Sequence, residues 1–260
     1  MAFSYTAIPL RVEGVNLNLS TIHNLNANPP ILFLHGFGSC KEDLSDIILN
    51  PALQHYGFLA FDAPGCGHSQ SDDLSAIDIS FLSFHTSKSP NFILWATLWG
   101  GLTSLLLAHK HPERVLSFVN IKGNLAPEDC FLSRQIFNFP SDNPEEFLDM
   151  FIARTRETKS FASALYASTL RARVQAGAVR PIFESMVRLS DNEDLLGKFS
   201  GLPCPKMFMF GEENSGLSYL RRLEKEDVEL AEISQSGHFP MYSNPVEMWR
   251  RIAAFLNRIG

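Results

Sequence analysis

The chain has 260 residues, of which 45% are hydrophobic and 19% charged, with a formal net charge of −6 and 21 phenylalanines. That balance predicts a soluble globular protein of one large domain, or one domain with an insertion. An acidic chain without a run of Lys or Arg excludes an ordinary nucleic-acid binder. The phenylalanine count points to a deep apolar interior or an apolar pocket.

At the start, MAFSYTAIPLRVEG (1–14) has no charged head followed by an apolar stretch, so no secretory signal is expected. The longest uncharged stretch, 89–108, contains Asn91, Thr97, Thr103 and a Gly-Gly pair, which suits a strand, turn and helix better than a membrane span. Cys40, Cys66, Cys130 and Cys204 are scattered without metal-ligand spacing. They read as reduced thiols of a cytoplasmic protein, and no metal site is expected. No phosphate-cradling glycine loop occurs, and nothing calls for a cofactor.

In chain order, short apolar runs recur, each ending in Gly, Asp or Asn: ILFLHGFG (31–38), GFLAFDAPG (57–65), FILWATLWGG (92–101), VLSFVNIKGN (115–124) and KMFMFGEEN (206–214). A weaker alternating run, VELAEISQSGH (228–238), follows. Continuous apolarity marks strands buried on both faces, as in a parallel sheet covered by helices. Helical periodicity lies between them, at 102–109 and 246–259. The spacing predicts an α/β fold with a mostly parallel central sheet flanked by helices.

One interval breaks the alternation. From about Leu125 to Leu202 the pattern is helical: NPEEFLDMFIARTRE (143–157) opens with an Asn-Pro start and first-turn acids, and SFASALYASTLRARVQ (160–175) and VRPIFESMVRLS (179–190) are amphipathic. We therefore expect a core in two parts, 1–124 and 203–260, with a helical cap at 125–202.

The segment ILWATLWGGLTSLLLAHKHPERV (93–115) has the outline of a nucleophile elbow, a strand meeting a helix through a sharp turn flanked by small residues. Centring that turn on Thr97 would place the indoles of Trp95 and Trp99 where small residues are required. Centring it on Leu98 places Ala96 and Gly100 there. Leu98 has no atom that attacks a carbonyl.

Together LHGFG, FDAPGCGHS, ATLWGG with LLLAHKHPERV, and SGHFPMYSNPVEMWRRIAAFL stand in the order and spacing of one known family. The chain resembles an α/β-hydrolase-fold protein with a helical cap between the family's sixth and seventh strands. The resemblance covers nearly the whole length. It implies an oxyanion hole made by the backbone N–H groups of Phe37 and Trp99, although His35-Gly36 also reads as a simple tight turn. It also implies that His238, in the loop after the last strand, is the active-site base. The family's acid position falls on Asn214, with Glu213 beside it as a possible partner for the imidazole. The alternative acid position, after the sixth strand, falls on Lys122. That lysine reads either as a pocket amine, donor or nucleophile, or as a solvated strand-end residue. Cys66, Asp62, His68 and Ser69 read as structural. Leu98, Trp99, Phe131 and Met241 are expected to line the pocket.

A capped apolar pocket with backbone donors and one His, but no nucleophile, predicts non-hydrolytic chemistry. The leading expectation is a cyclase or isomerase, including pericyclic reactions, acting on a bulky apolar small-molecule carbonyl compound. The alternatives are a ligand-binding receptor or carrier, and a residual hydrolase using water activated by His238. Neither a nucleic acid nor a membrane is expected as a partner.

Overall fold

The structure is a computed structural model, described here over residues 3–27, 29–83 and 91–259. Nine strands form one sheet: β1 (Ser4–Val12), β2 (Val15–Asn24), β3 (Pro30–Leu34), β4 (Gly57–Phe61), β5 (Gln70–Ser71), β6 (Phe92–Thr97), β7 (Val115–Ile121), β8 (Lys206–Gly211) and β9 (Glu229–Ile233). The order is β1-β2-β4-β3-β6-β7-β8-β9, with β5 on the side of β2. From β4 to β9 every neighbouring pair along this order is parallel. The predicted central strands are therefore present, and all six residues of β6 are buried, as a continuous apolar run requires.

The sequence reading did not include the N-terminal hairpin. β1 pairs with β2 in antiparallel register across Glu13 and Gly14, whose φ values are 48° and 91°. Positive φ at both central residues matches the twist of a two-residue hairpin. Most of β1 is exposed, so it carries little of the apolar pattern on which strand recognition rests.

The helices are α1 (Ile79–Leu82), α2 (Trp99–Lys110), α3 (Pro144–Arg156), α4 (Phe161–Arg173), α5 (Val179–Asn192), α6 (Leu195–Ser200), α7 (Leu220–Lys225), α8 (Pro240–Ser243) and α9 (Pro245–Ile259). α2 is buried on nearly every side, beginning with Trp99, Gly100 and Gly101. α3 starts where predicted: Pro144 occupies the first turn and the Asn143 side chain accepts from Glu145 N–H at 3.0 Å. Among the described residues no helix is long and apolar enough to cross a membrane.

Between β7 and β8 stand α3 to α6 and several 3-10 turns, without a strand. This helical segment packs on the loops after the parallel strands. Phe37, in the loop after β3, meets Phe183 of α5 and Phe151 of α3 at ring-centroid distances of 4.6 and 5.5 Å. Arg173, at the end of α4, bonds Asp43 and the Tyr242 hydroxyl. Gln175 N–H donates to Gly65 O at 2.9 Å. Phe139, Phe147, Phe151 and Phe183 thus form a cluster with Phe37 that joins the insertion to the loop after β3.

Candidate active site

The carboxyl ends of β3, β6, β7, β8 and β9 share one edge of the parallel sheet. In open α/β sheets ligands bind at this edge, where the strand order reverses. The reversal lies between β3, which runs into Phe37, and β6, which runs into Leu98. Lys122, Asn214 and His238 follow β7, β8 and β9.

Leu98 holds φ 53° and ψ −128° between β6 and α2. A non-glycine residue in such a conformation costs on the order of 1–3 kcal/mol and persists only where its surroundings over-determine it. Here they do: Leu98 N–H donates to Ile121 O at 3.2 Å and Leu98 O accepts from Gly101 N–H at 2.9 Å. The turn also needs Gly100, since a methyl group there would lie 2.4 Å from His35 O. The elbow predicted from Ala96, Leu98 and Gly100 is therefore formed, with an isobutyl group at its apex.

That group packs on the loop after β3. A methyl on Gly36 would meet Leu98 Cβ at 2.4 Å and its Cγ and Cδ1 at 2.7 Å. Thr97, the rejected register for a nucleophile, is buried and its Oγ1 accepts the Gly36 N–H at 2.9 Å. Its hydroxyl pins the loop to β6. Among the described residues neither the Phe37 N–H nor the Trp99 N–H reaches a protein acceptor. For Trp99 this follows from its place at the first helical position. Phe37 is held from the other side, where its carbonyl accepts the Tyr166 hydroxyl at 2.8 Å. Two backbone donors thus lack a protein partner next to a hydrocarbon side chain.

Tyr166 also stacks on Phe239 at 4.4 Å, and Phe239 follows His238. The tyrosine, from α4, ties the donor loop to the imidazole loop. His238 itself is exposed and makes no hydrogen bond to protein among the described residues. One edge of the ring reaches water while the rest packs on protein, Phe239 included; that desolvation, and then the charge of Lys122, hold its imidazole pKa below the ordinary value. A neutral ring with one edge in water has a free acceptor nitrogen.

The acid expected beside it is missing from the hydrogen-bond pattern. Asn214, half-buried in the 3-10 turn after β8, does not bond His238. The Glu213 carboxylate lies against Gly237, where a methyl would meet its Oε2 at 2.3 Å, but it does not bond the imidazole either. Among the described residues no side chain bonds the imidazole into a relay.

Lys122 requires a correction. It is neither a pocket amine nor a solvated residue: its side chain is buried and its Nζ lies 2.6 Å from Asp129 Oδ1, itself buried. Asp129 also accepts the N–H groups of Leu125 and Ala126 and the Tyr219 hydroxyl. Such a pair, once made, holds its ammonium in place, because separating buried partners is costly. Phe131 is corrected too. It is 69% exposed between two 3-10 turns and does not join the residues around Leu98, whereas Met241 is buried in α8.

Of the residues around the loop after β4, His35, Asp62 and Cys66 are buried, whereas the His68 side chain is exposed. The His35 ring bridges Gly36 O and Ala63 N–H, and burial keeps its pKa below the ordinary value. Asp62 is buried and pairs with Lys41 at 2.8 Å; burial opposes its charge, but bonds from Lys41 and His68 hold its carboxyl below the usual range. Burial pushes the Cys66 thiol up to about 12, so it is inert at neutral pH.

Sequence reasoning missed Tyr166 and Asp129. Asp129 stands in a Pro-initiated turn, which marks it as a cap but not as the partner of Lys122. Tyr166 lies 129 residues from Phe37 and carries no local signal.

Comparison with known proteins agrees with this architecture. A family model for the alpha/beta hydrolase fold matches residues 29–174, more than half of the chain. A pimeloyl-[acyl-carrier protein] methyl ester esterase of Citrobacter koseri is 23% identical over 89% of this chain and 95% of its own. Among solved structures, a thermophilic esterase from Thermogutta terrifontis superposes with a TM-score of 0.74 at 15% identity, covering 98% of this chain and 99% of that one. The enol-lactonase from Burkholderia xenovorans superposes with a TM-score of 0.72 at 17% identity, covering 96% and 100%. With its sheet order, its elbow and this match, the chain belongs to the α/β-hydrolase-fold family.

Proposed function

We propose that this chain binds a small carbonyl compound of the ester or lactone class at the edge above Leu98, without hydrolysing it through an acyl-enzyme. The observation that carries this reading is Leu98 at the apex of a formed elbow. Covalent catalysis in this fold needs an attacking oxygen, sulfur or carboxylate there. The ligand class is supported by the esterases and the lactonase that the chain resembles, and by the unbonded N–H groups of Phe37 and Trp99, which suit a carbonyl oxygen. Residues 125–202 act as the cap over this site. Four buried free thiols support a reducing, cytoplasmic setting.

A second reading is favoured by one observation, the neutral and unbonded His238. Such a base supports proton transfer in a cyclisation or isomerisation that needs no nucleophile. Confinement supplies up to about 7–11 kcal/mol in favourable intramolecular cases. One preorganised donor adds about 2.7–4 kcal/mol. Lys122 takes no part, since Asp129 holds its ammonium.

The test is an NMR screen of short-chain esters and lactones against the protein, with the ligand analysed afterwards. Saturable binding with the ligand recovered unchanged supports the first reading, and an isomer of unchanged mass supports the second. A carboxylic acid and an alcohol contradict both.

A further inference from the structure

A separate concavity lies between the 3-10 turns at Ser45–Leu49 and Pro51–Leu53 and helix α9. It is a shallow, open depression of about 570 Å³, and Leu49, Pro51, Val246, Trp249 and Ala253 supply its apolar walls. Leu49 and Val246 are 76% and 79% exposed, the two most exposed large aliphatic side chains among the described residues. A soluble fold gains nothing by placing both beside one groove, and exposed apolar surface in a concavity marks a binding site.

Two charged groups, Asp46 and Arg250, stand in this wall. Asp46 is half-buried, and its Oδ2 accepts the Trp249 indole N–H at 2.7 Å. Among the described residues no Lys, Arg or His forms an ion pair with it. The cation nearest in the lining, Arg250, is instead drawn to Glu247 at 3.3 Å. Burial raises the Asp46 pKa, with the indole bond and its own backbone N–H opposing the shift. A half-buried carboxylate without a counter-ion keeps room for a charge-assisted bond to a cation. The acidic net charge of the chain draws cations towards it.

We propose that the groove between Asp46 and Val246 binds a small organic cation, an alkyl- or arylammonium, with its charge on Asp46 and its hydrocarbon on Leu49, Pro51 and Val246. The ammonium supplies the charge-assisted bond that Asp46 lacks. The site shares no residue with the edge above Leu98 and does not depend on the reading of that edge.

The test follows the indole N–H resonance of Trp249 during titration with hexylammonium and, separately, with 1-hexanol. The chain has three tryptophans, and the indoles of Trp95 and Trp99 are buried without partners, so the Trp249 resonance reports on this groove alone. Hexylammonium should shift it saturably and bind at least about tenfold more tightly than hexanol, a difference of about 1.4 kcal/mol. Asp46→Asn should abolish that preference. Val246→Ser, at an exposed position that folding does not depend on, should weaken both ligands together and keep the preference. Equal binding of the two ligands would make the groove merely apolar and overturn the proposal. So would the absence of any shift, or a resonance that moves with protein concentration because a second copy covers the groove.

Discussion

Leu98 and Gly36 pack so closely that a methyl group on Gly36 would lie 2.4 Å from Leu98 Cβ. The leucine side chain therefore fills the space beside the donor loop, and the two positions are coupled. Gly36→Ala should destabilise the protein by about 1–3 kcal/mol, the usual cost of overpacking. Combined with Leu98→Gly, which empties the space, the alanine should cost measurably less, with a coupling of at least about 0.5 kcal/mol in a double-mutant cycle. Urea denaturation of the four proteins checks this, and additive effects would show that the two residues do not touch.

The Lys122–Asp129 pair makes a second prediction. Lys122→Met leaves Asp129 buried without its cation and should cost about 3–5 kcal/mol of stability. Lys122→Gln, which keeps a donor for Asp129, should cost less. Removing the positive charge should also let the His238 pKa rise towards its ordinary 6.5. A histidine-selective NMR titration reads this directly. An unchanged midpoint would mean that the ammonium does not act on His238.

Stability should depend on acid through His35. Its folded pKa is below the ordinary 6.5, so above that value neither state binds the proton and the group adds no slope. Below 6.5 the unfolded chain takes up a proton that the buried ring refuses. Stability then falls with pH, by up to about 1.4 kcal/mol per unit for each such histidine. Asp62 adds a separate loss at lower pH: its folded pKa is depressed from 3.8, so its contribution is present above 3.8 and disappears as pH falls through the folded value. His35→Gln should reduce the slope of the upper part of the profile, leaving the share of His238, whose pKa is also lowered, and should leave the lower part intact. A profile unchanged in the upper window would contradict the assignment.

The central sheet and the elbow were legible because their signals are local. β6 is a continuous apolar run, and the small residues at Ala96 and Gly100 fix the register of the turn around Leu98. The boundaries of α3 were legible from Asn143, Pro144 and the acids after them. The β1–β2 hairpin was not, because β1 buries too little to show a pattern. Lys122 was misread for a different reason. Its position at a strand end says nothing of a carboxylate that a later turn brings back over it. Tyr166 belongs to the same kind of omission, since only the folded insertion places its hydroxyl on Phe37 O. Asn214 was expected at the family's acid position from its spacing after Gly211, but spacing alone does not create the hydrogen bond that an orienting residue needs.

The central claim, that the elbow is formed and lacks only its nucleophile, is tested most directly by p-nitrophenyl acetate hydrolysis with the wild-type protein, Leu98→Ser, and Leu98→Ser combined with Asn214→Asp. The wild type should release no p-nitrophenol beyond the rate of its His238→Ala variant. Leu98→Ser should gain a slow activity that depends on His238, since a triad without its acid keeps only about one part in 10⁴ of its rate. Adding the carboxylate at Asn214 should raise that activity by at least about tenfold, a barrier change of about 1.4 kcal/mol. Hydrolysis by the wild type that is lost with His238→Ala would contradict the account, because it would show a working nucleophile or activated water despite Leu98.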